Sequence, residues 1–342
     1  MSVDFKIFET EKEESAVNQK KIAQLAHVSP STVSKALRGS RDVSPEIAER
    51  IRQIALDIGY IKEKSERKLS NLRNKKPLVA IFCPEIISIY YSRLTTMLQN
   101  EIDALGGESF VCVFQFSYEK IDEMIDTLVV RSGCDAIINL TACRSAEATR
   151  LPIAYVASYV KNDQYDCLFC NLDTVMQMAI RHLTEQGCQR IGYMGEKRTA
   201  SKERAFIKAA KSMGLPFDKS FLYVSDERFE HAGFDCAKKL LQSEHHPDAI
   251  IAAYDEIALG AMHVLSKQGI KIPQDIAFLG INNIPYAAYS SIGLTSIDIF
   301  SAEKCKESIH NLFQSLFDGS TTPQCLRSEP ELIVRDSTLR IK

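Results

Sequence analysis

The sequence predicts a protein in two parts. A small α-helical headpiece of the helix-turn-helix type is followed by a larger α/β core whose parallel sheets form two lobes. Three observations predict this. A compact basic segment sits on an otherwise acidic chain, and helix start and stop signals recur at short intervals within it. From residue 77 onward, strand-length apolar runs alternate with amphipathic helical segments.

The chain has 342 residues and a net charge of −2, but residues 17–76 hold fourteen basic and six acidic side chains. That segment carries +8, which leaves −10 for the remainder. A basic module on an acidic chain is the electrostatic footprint of nucleic-acid binding. The length suits two or three domains. No apolar run is long enough to span a bilayer. Residues 1–17 are acidic and have no apolar signal stretch, so they read as a disordered tail on a cytoplasmic protein with no membrane partner. Ten cysteines are scattered without a framework and are expected to be reduced thiols packed as small apolar groups. Cys167 and Cys170 form a C-x-x-C in a strand-like run, where they face opposite sides, and no second pair follows. No metal site or cofactor is expected.

The headpiece is read over residues 18–60. Asn18 can N-cap a first helix whose apolar side is Ile22, Ala23, Leu25 and Ala26. His27-Val28-Ser29 makes a turn, with Ser29 as N-cap and Pro30 at the first helical position, where no N–H is needed. The second helix buries Val33, Ala36 and Leu37 and presents Ser31, Thr32, Ser34 and Lys35. That small polar face suits a helix lying in a major groove. Gly39 stops it. Ser44-Pro45-Glu46 starts a third helix with Ile47, Ile51, Ile54, Ala55 and Ile58 as its apolar stripe, ended by Gly59.

The runs Lys21-Ile22-Ala23, Ala26 to Leu37, Val43-Ser44 and Ile58-Gly59-Tyr60 resemble the headpiece of the LacI/GalR repressor family. The resemblance implies that Pro30, Ser31 and Lys35 approach base edges and that Ser29, Thr32 and Ser34 grip phosphates. Lys35 stands where the family usually has Arg, and a point donor suits guanine less well than a planar fork. The resemblance also implies that residues 61–76 are a hinge that becomes helical on DNA and wedges a leucine, here Leu69, into the minor groove. Lys62-Glu63 and Glu66 depart from the family pattern in this hinge.

In the core, strands are expected at Leu78–Cys83, Phe110–Phe116, Asp135–Leu140, Ile153–Ser158, Arg190–Gly195, Phe221–Val224, Ala249–Ala253 and Ile276–Ile281, with helices between them. The resemblance continues through His182-Leu183, Gly187, Arg190 to Gly195, Ala258 to Ala261, Ile272-Pro273, Leu294 to Ile297 and Arg335 to Thr338. It implies a periplasmic-binding-protein-like core that crosses between lobes near Asn171, Leu294 and Leu326. The N-lobe is then 77–170 and 296–325, and the C-lobe 171–295 and 326–342. It also implies an effector between the lobes, touching positions held here by Tyr90, Tyr91, Ala157, Lys202, Tyr254 and Asn282. Carboxylates usual at two of these positions are missing and a cation remains. That suggests a sugar, phosphorylated sugar or sugar acid as effector, with Lys197, Arg198, Lys202 and Arg204 as anion partners. A helix near Tyr91–Gly106 and the segment Ser301–Asp318 would form a homodimer matching a near-palindromic double-stranded operator.

The expected function is sequence-specific repression of carbohydrate-metabolism genes under effector control. No nucleotide loop, nucleophile elbow or metalloprotease motif is present, so catalysis is not expected and no catalytic residues are assigned. Two other readings remain at this point. One is a transport-type solute receptor, opposed by the basic headpiece. The other is a regulator with a vestigial pocket gated by a protein partner.

Overall fold

The computed structural model describes residues 20–37, 42–57, 76–125, 133–141, 151–159, 161–162, 164–216, 218–300, 302–318 and 323–340. The chain divides into two compact units, Met1–Lys76 and Pro77–Lys342. The expected acidic tail, the Asn18 cap, the Gly39 stop, Ile58 and hinge residues 61–75 with Leu69 lie outside the described residues.

In the first unit, helix α1 covers residues 20–26, α2 Pro30–Leu37 and α3 Pro45–Asp57. Their shared core is Ile22, Ala23, Ala26, Val33, Ala36, Val43, Ala48, Ile51 and Ala55. Two residues read as core stand outside it: Leu25 is 48% exposed and Ile47 40%. The seam of α3 runs through Ala48, Ile51 and Ala55 at helical spacing, which leaves Ile47 on its flank. Leu25 lies similarly to one side of Ile22, Ala23 and Ala26.

The second unit opens with β1 (Leu78–Cys83), α4 (Ile89–Ala104), β2 (Glu108–Val113), α5 (Tyr118–Met124), β3 (Ala136–Asn139), β4 (Ile153–Ser158) and β5 (Asp166–Phe169). It continues with α6 (Leu172–Glu185), β6 (Ile191–Glu196), α7 (Ala200–Ser212), β7 (Leu222–Ser225), α8 (Phe229–Leu241), β8 (Ala249–Ala252) and α9 (Asp255–Lys267). β9 (Ala277–Ile281), α10 (Pro285–Tyr289), β10 (Thr295–Asp298), α11 (Ala302–Asp318), β11 (Cys325–Arg327) and β12 (Glu331–Ile333) follow.

These strands form two six-stranded sheets, ordered β11-β5-β4-β3-β1-β2 and β12-β10-β9-β8-β6-β7. Among the described pairings all are parallel except β10 with β12. Parallel sheets are covered on both faces, so their strands read as continuous apolar runs. In β1, Val79, Ile81 and Cys83 enter one core cluster while Ala80 and Phe82 enter another.

The chain leaves the first sheet after Phe169 and starts α6 at Leu172. The second crossing falls later than the sequence suggested. The chain leaves the second sheet only after Asp298, not near Leu294, because β10 pairs beside β9 first. It leaves the first sheet after Arg327, next to the expected Leu326, at the end of the β11 pairing with β5. The first lobe therefore keeps residues to about 170 together with α11 and β11, and the second keeps β10 and β12.

Two contacts fix the second lobe. A Cβ on Gly233 of α8 would lie 2.2 Å from the Ile257 carbonyl oxygen, and one on Gly260 of α9 would lie 2.3 Å from the Glu230 carbonyl oxygen. Only glycine lets these helices approach so closely. The late segment Arg335 to Thr338 is sewn in by hydroxyls. Ser337 Oγ donates to the Phe278 carbonyl (2.6 Å) and accepts from Thr295 N–H (2.8 Å). Thr338 Oγ1 lies 2.8 Å from both Thr295 Oγ1 and His182 Nε2.

Cysteines 83, 112, 134, 170, 188, 236 and 305 are free and buried, as expected for reduced thiols. Cys167 and Cys325 depart from that expectation. They face each other across the β5–β11 pairing, with Cα atoms 4.7 Å apart, and are joined as a disulfide. No helix among the described residues is long and apolar enough to cross a membrane.

Candidate functional site

The headpiece offers one face of α2. Ser29 Oγ accepts the Thr32 N–H at 3.1 Å and lies 2.8 Å from Thr32 Oγ1, so the cap and its partner hydroxyl are locked together at the helix start. His27 takes a left-handed φ of 51°, which lets the chain turn sharply between α1 and α2. Ser29, Pro30, Ser31 and Lys35 are exposed, while Thr32 and Ser34 are half-buried. The face is slim and hydroxylated, which suits phosphate contact. One feature was not legible in the sequence: Lys35 Nζ is paired with Asp42 at 3.0 Å. The cation expected to face DNA is thus shared with a carboxylate from the α2–α3 connection.

The second unit holds a cavity of about 100 Å³ where the strand ends of its two sheets meet. Tyr90 and Tyr91 come from the first turn of α4, Phe116 from beyond β2 and Tyr159 from beyond β4. From the second lobe come Glu196 at the end of β6, Lys202 in the first turn of α7, Tyr254 and Glu256 at the start of α9, and Asn282 after β9. Tyr90, Tyr91, Lys202, Tyr254 and Asn282 are therefore brought together as expected positions of the site. Ala157 is not: it is buried at the end of β4 and does not line the cavity. Its positive φ of 64° coincides with the break in β4–β5 register between Tyr155 and Ser158, which turns it away from the strand's regular alternation.

Backbone strain concentrates here. Gln115, Phe116, Ala157, Phe229, Asn282 and Asn283 all have positive φ without being glycine, and all lie at the cleft-facing ends of the sheets or the helix that follows. Asn282, at φ 100°, is held by its N–H bond to the Ile297 carbonyl at 2.9 Å.

The charge inventory differs from that read in the sequence. Lys197 is an exposed partner of Asp226, Arg204 is exposed and does not line the cavity, and only Arg198 and Lys202 of that run reach it. Arg228 joins them, and three carboxylates, Glu85, Glu196 and Glu256, balance the three cations. Arg228 donates two bonds to Glu85, one of them at 2.8 Å from Nη2 to Oε1, and its Nε lies 3.4 Å from Glu196 Oε1. Glu85 holds it in the charged state, with its pKa raised above the ordinary arginine value. Glu196 also accepts the Arg198 N–H at 3.0 Å and the Tyr254 hydroxyl at 3.4 Å.

Lys202 is buried and donates to the Ala253 carbonyl at 2.7 Å. Desolvation pulls its pKa down to about 8, opposed by the nearby Asp255 and Glu256 carboxylates. Asp255 is fully buried behind the cavity wall. It accepts the Ile284 N–H (2.8 Å) and the Ser296 hydroxyl (2.6 Å), which anchors the Asn282 turn, and burial pushes its carboxyl up to about 7. Burial also raises Glu256. Three buried polar atoms of the lining have no partner in the protein: Tyr90 OH, Glu256 Oε2 and Asn282 Oδ1. Two are acceptors and one a hydroxyl, and such groups are seldom left unpaired unless a ligand or water completes them. Among the described residues, no group of three or more His, Cys, Asp or Glu could hold a metal ion.

Two parallel-sheet lobes with a cleft at their strand ends, on the same chain as a helix-turn-helix unit, define a DNA-binding transcriptional regulator. Comparison with known proteins places the chain within that class. The family model described as Bacterial regulatory proteins, lacI family, matches residues 19–63, and the Periplasmic binding protein-like domain matches residues 180–338. The chain thus carries a DNA-binding headpiece of the lacI family and a periplasmic binding protein-like domain, as its sequence resemblance implies. It is 27% identical over 330 residues to the HTH-type transcriptional repressor PurR of Actinobacillus pleuropneumoniae serotype 3 (strain JL03), covering 93% of this chain and 97% of that one. Its fold matches the lac repressor dimer bound to operator and the anti-inducer ONPF, with TM-score 0.68, 19% identity, and 93% and 98% of the two chains covered. It also matches the transcriptional regulator CelR–cellobiose complex, with TM-score 0.67, 20% identity, and 93% and 99% covered. These named relatives are regulators, not enzymes.

Proposed function

We propose that the protein is a homodimeric, operator-binding repressor of carbohydrate-metabolism genes, controlled by a small neutral hydroxylated effector held between the core lobes. The observation that carries the effector class is the unfilled polar set inside a charge-balanced cavity: two buried acceptors, Glu256 Oε2 and Asn282 Oδ1, beside the Tyr90 hydroxyl. An effector rich in O–H donors satisfies these acceptors, and sugar rings pack well on the aromatic walls supplied by Tyr91, Phe116, Tyr159 and Phe229. The cellobiose bound in a structural neighbour is of this class. A phosphorylated sugar or sugar acid is less well served. Arg228 is already committed to Glu85 and Lys202 to a carbonyl, and three carboxylates would repel an added anion.

On DNA, Ser31 and Lys35 read base edges with Pro30 packed against them, and Ser29, Thr32 and Ser34 position the phosphates. The Leu69 wedge and a dimer built through α4 and α11 complete this reading. Calorimetry with a panel of free monosaccharides and disaccharides beside their phosphates tests it, together with selection of bound duplexes from random DNA. Heat from free sugars alone and enrichment of twofold-symmetric sites support the proposal. Heat from phosphates alone, or no preference for any symmetric duplex, overturns it.

A further inference from the structure

The lobes are tied to each other by the protein's own side chains. Glu85 follows β1 in the first lobe and is buried; Arg228 precedes α8 in the second. Their bidentate pair spans the cleft. The Arg228 guanidinium carbon also lies 4.5 Å from the Phe229 ring centroid and 5.4 Å from that of Phe116 in the opposite lobe. Arg198 reaches across to the same Phe116 ring at 4.3 Å, and Arg93 Nη1 donates to the Asn283 carbonyl at 3.1 Å from the other side. Arg228 thus does what a bound effector would do: it bridges carboxylates, stacks on aromatic rings and spans both lobes. The strained φ of 53° at Phe229, whose N–H donates to Tyr254 OH at 3.1 Å, holds it in that position.

The cavity around Arg228, about 100 Å³, is smaller than the roughly 300–1,000 Å³ usual for small-molecule sites, while a larger one of about 620 Å³ lies along α4 on the far side of Tyr90 and Asn282. The arrangement has the features of a cleft already shut around a resident side chain.

We infer that Arg228 is a built-in occupant of the effector cleft, and that its bidentate pair with Glu85 latches the two lobes shut in the absence of any effector. Glu85 is buried and Arg228 half-buried, with side chains 11% and 29% exposed, and a planar guanidinium fork on a carboxylate is a highly directional ion pair. Removing one partner strands the other at a partly desolvated position, so the closed state loses more than one hydrogen bond. The latch pre-forms the cleft that an effector needs. It therefore tightens effector binding by the fraction of molecules it keeps closed, while slowing access. This inference rests on the reading of the cleft as the effector site.

Hydrogen exchange followed by mass spectrometry on the full chain without added ligand tests it. The amides to follow are Tyr91, which donates to Ser88 Oγ, and Phe229, which donates to Tyr254 OH, one on each side of the cleft. Glu85→Gln and Arg228→Gln should each speed exchange there by about tenfold or more, while strands β1, β6 and β8 keep their rates. The double variant should exchange no faster than the faster single, because both remove one latch. Arg228→Lys, which keeps the charge and loses the fork, should fall between, and it serves if a single variant does not fold. Unchanged cleft rates in the singles, or additive acceleration in the double, overturn the latch. Since no effector is present, a failure to find any sugar ligand would sink the effector reading and leave this result standing.

Discussion

Asp255→Asn isolates the energetic role of the most buried carboxyl behind the cleft. The Asp255 side chain is fully buried, and desolvation raises its carboxyl from 3.8 to about 7. A folded-state pKa above the unfolded one means that the native protein binds the proton more tightly. The resulting stability is complete below about pH 4 and is lost as pH rises through about 7. Between about pH 5 and about pH 8 these two values imply a loss of about 3 kcal/mol from this one group.

Asn mimics the protonated carboxyl in shape and does not titrate. Its carbonyl can still accept the Ile284 N–H, and its amide can donate to Ser296 Oγ. The variant should match the wild type near the acid end of this range and exceed it by up to about 3 kcal/mol at the alkaline end. The chain has no tryptophan, so urea unfolding is best followed by far-ultraviolet circular dichroism at several pH values. Lys202 titrates in both proteins but is coupled to Asp255, so losing that carboxylate lowers its pKa further in the variant, and the difference between the two curves reports the pair. Parallel stability–pH curves for the two proteins would refute the reasoning, because they would mean that Asp255 is already ionised at no expense in the folded core.

Asp42→Asn releases Lys35 from an exposed pair and removes a negative charge beside the DNA-facing helix. Operator affinity should rise a few-fold, and the slope of log affinity against log salt should steepen by about 0.9, measured by fluorescence anisotropy across a salt series. Gly260→Ala places a methyl 2.3 Å from the Glu230 carbonyl oxygen, so α8 and α9 must separate; thermal melts should show a loss of about 2 kcal/mol or more. Glu256→Gln swaps the unpaired Oε2 acceptor for an amide donor, and isothermal calorimetry with whichever free sugar binds should show about a tenfold or greater loss of affinity. Ser29→Ala removes the cap of α2 and should cost about 1 kcal/mol of headpiece stability, read by melting that unit's helical signal.

Elements were legible where local periodicity decides them. Strands β1 and β4 fall where their apolar runs begin and end, because a strand buried on both faces leaves an unbroken apolar record. Helices α6 to α9 begin two or three residues before Thr174, Lys202, Ala232 and Ile257, where their apolar stripes in the sequence start. Their first turns hold residues such as Asp255, Glu256 and Phe229, chosen for the cleft and not for the core, so the stripe starts late. The headpiece was legible down to the Ser29 cap, which is a purely local signal.

The charge balance of the cleft was not legible. Lys197 to Arg204 looks like a cationic cluster in the sequence, but the short helical turn at Lys197–Thr199 and the start of α7 disperse it in different directions. The opposing carboxylates Glu85, Glu196 and Glu256 come from connections far apart in the chain, and no spacing rule links Arg228 to a partner 143 residues away. Ala157 was misplaced for a related reason: a bulge changes which way a residue points without leaving a mark in composition.

The stitching of Ser337 and Thr338 into Phe278, Thr295 and His182 bears on how the protein is made. The ribosome delivers the headpiece, whose core among the described residues ends at Ala55, hundreds of residues before the last strut of the second lobe emerges. For much of synthesis, then, a nascent chain can present a finished helix-turn-helix unit while the core that follows it is still incomplete.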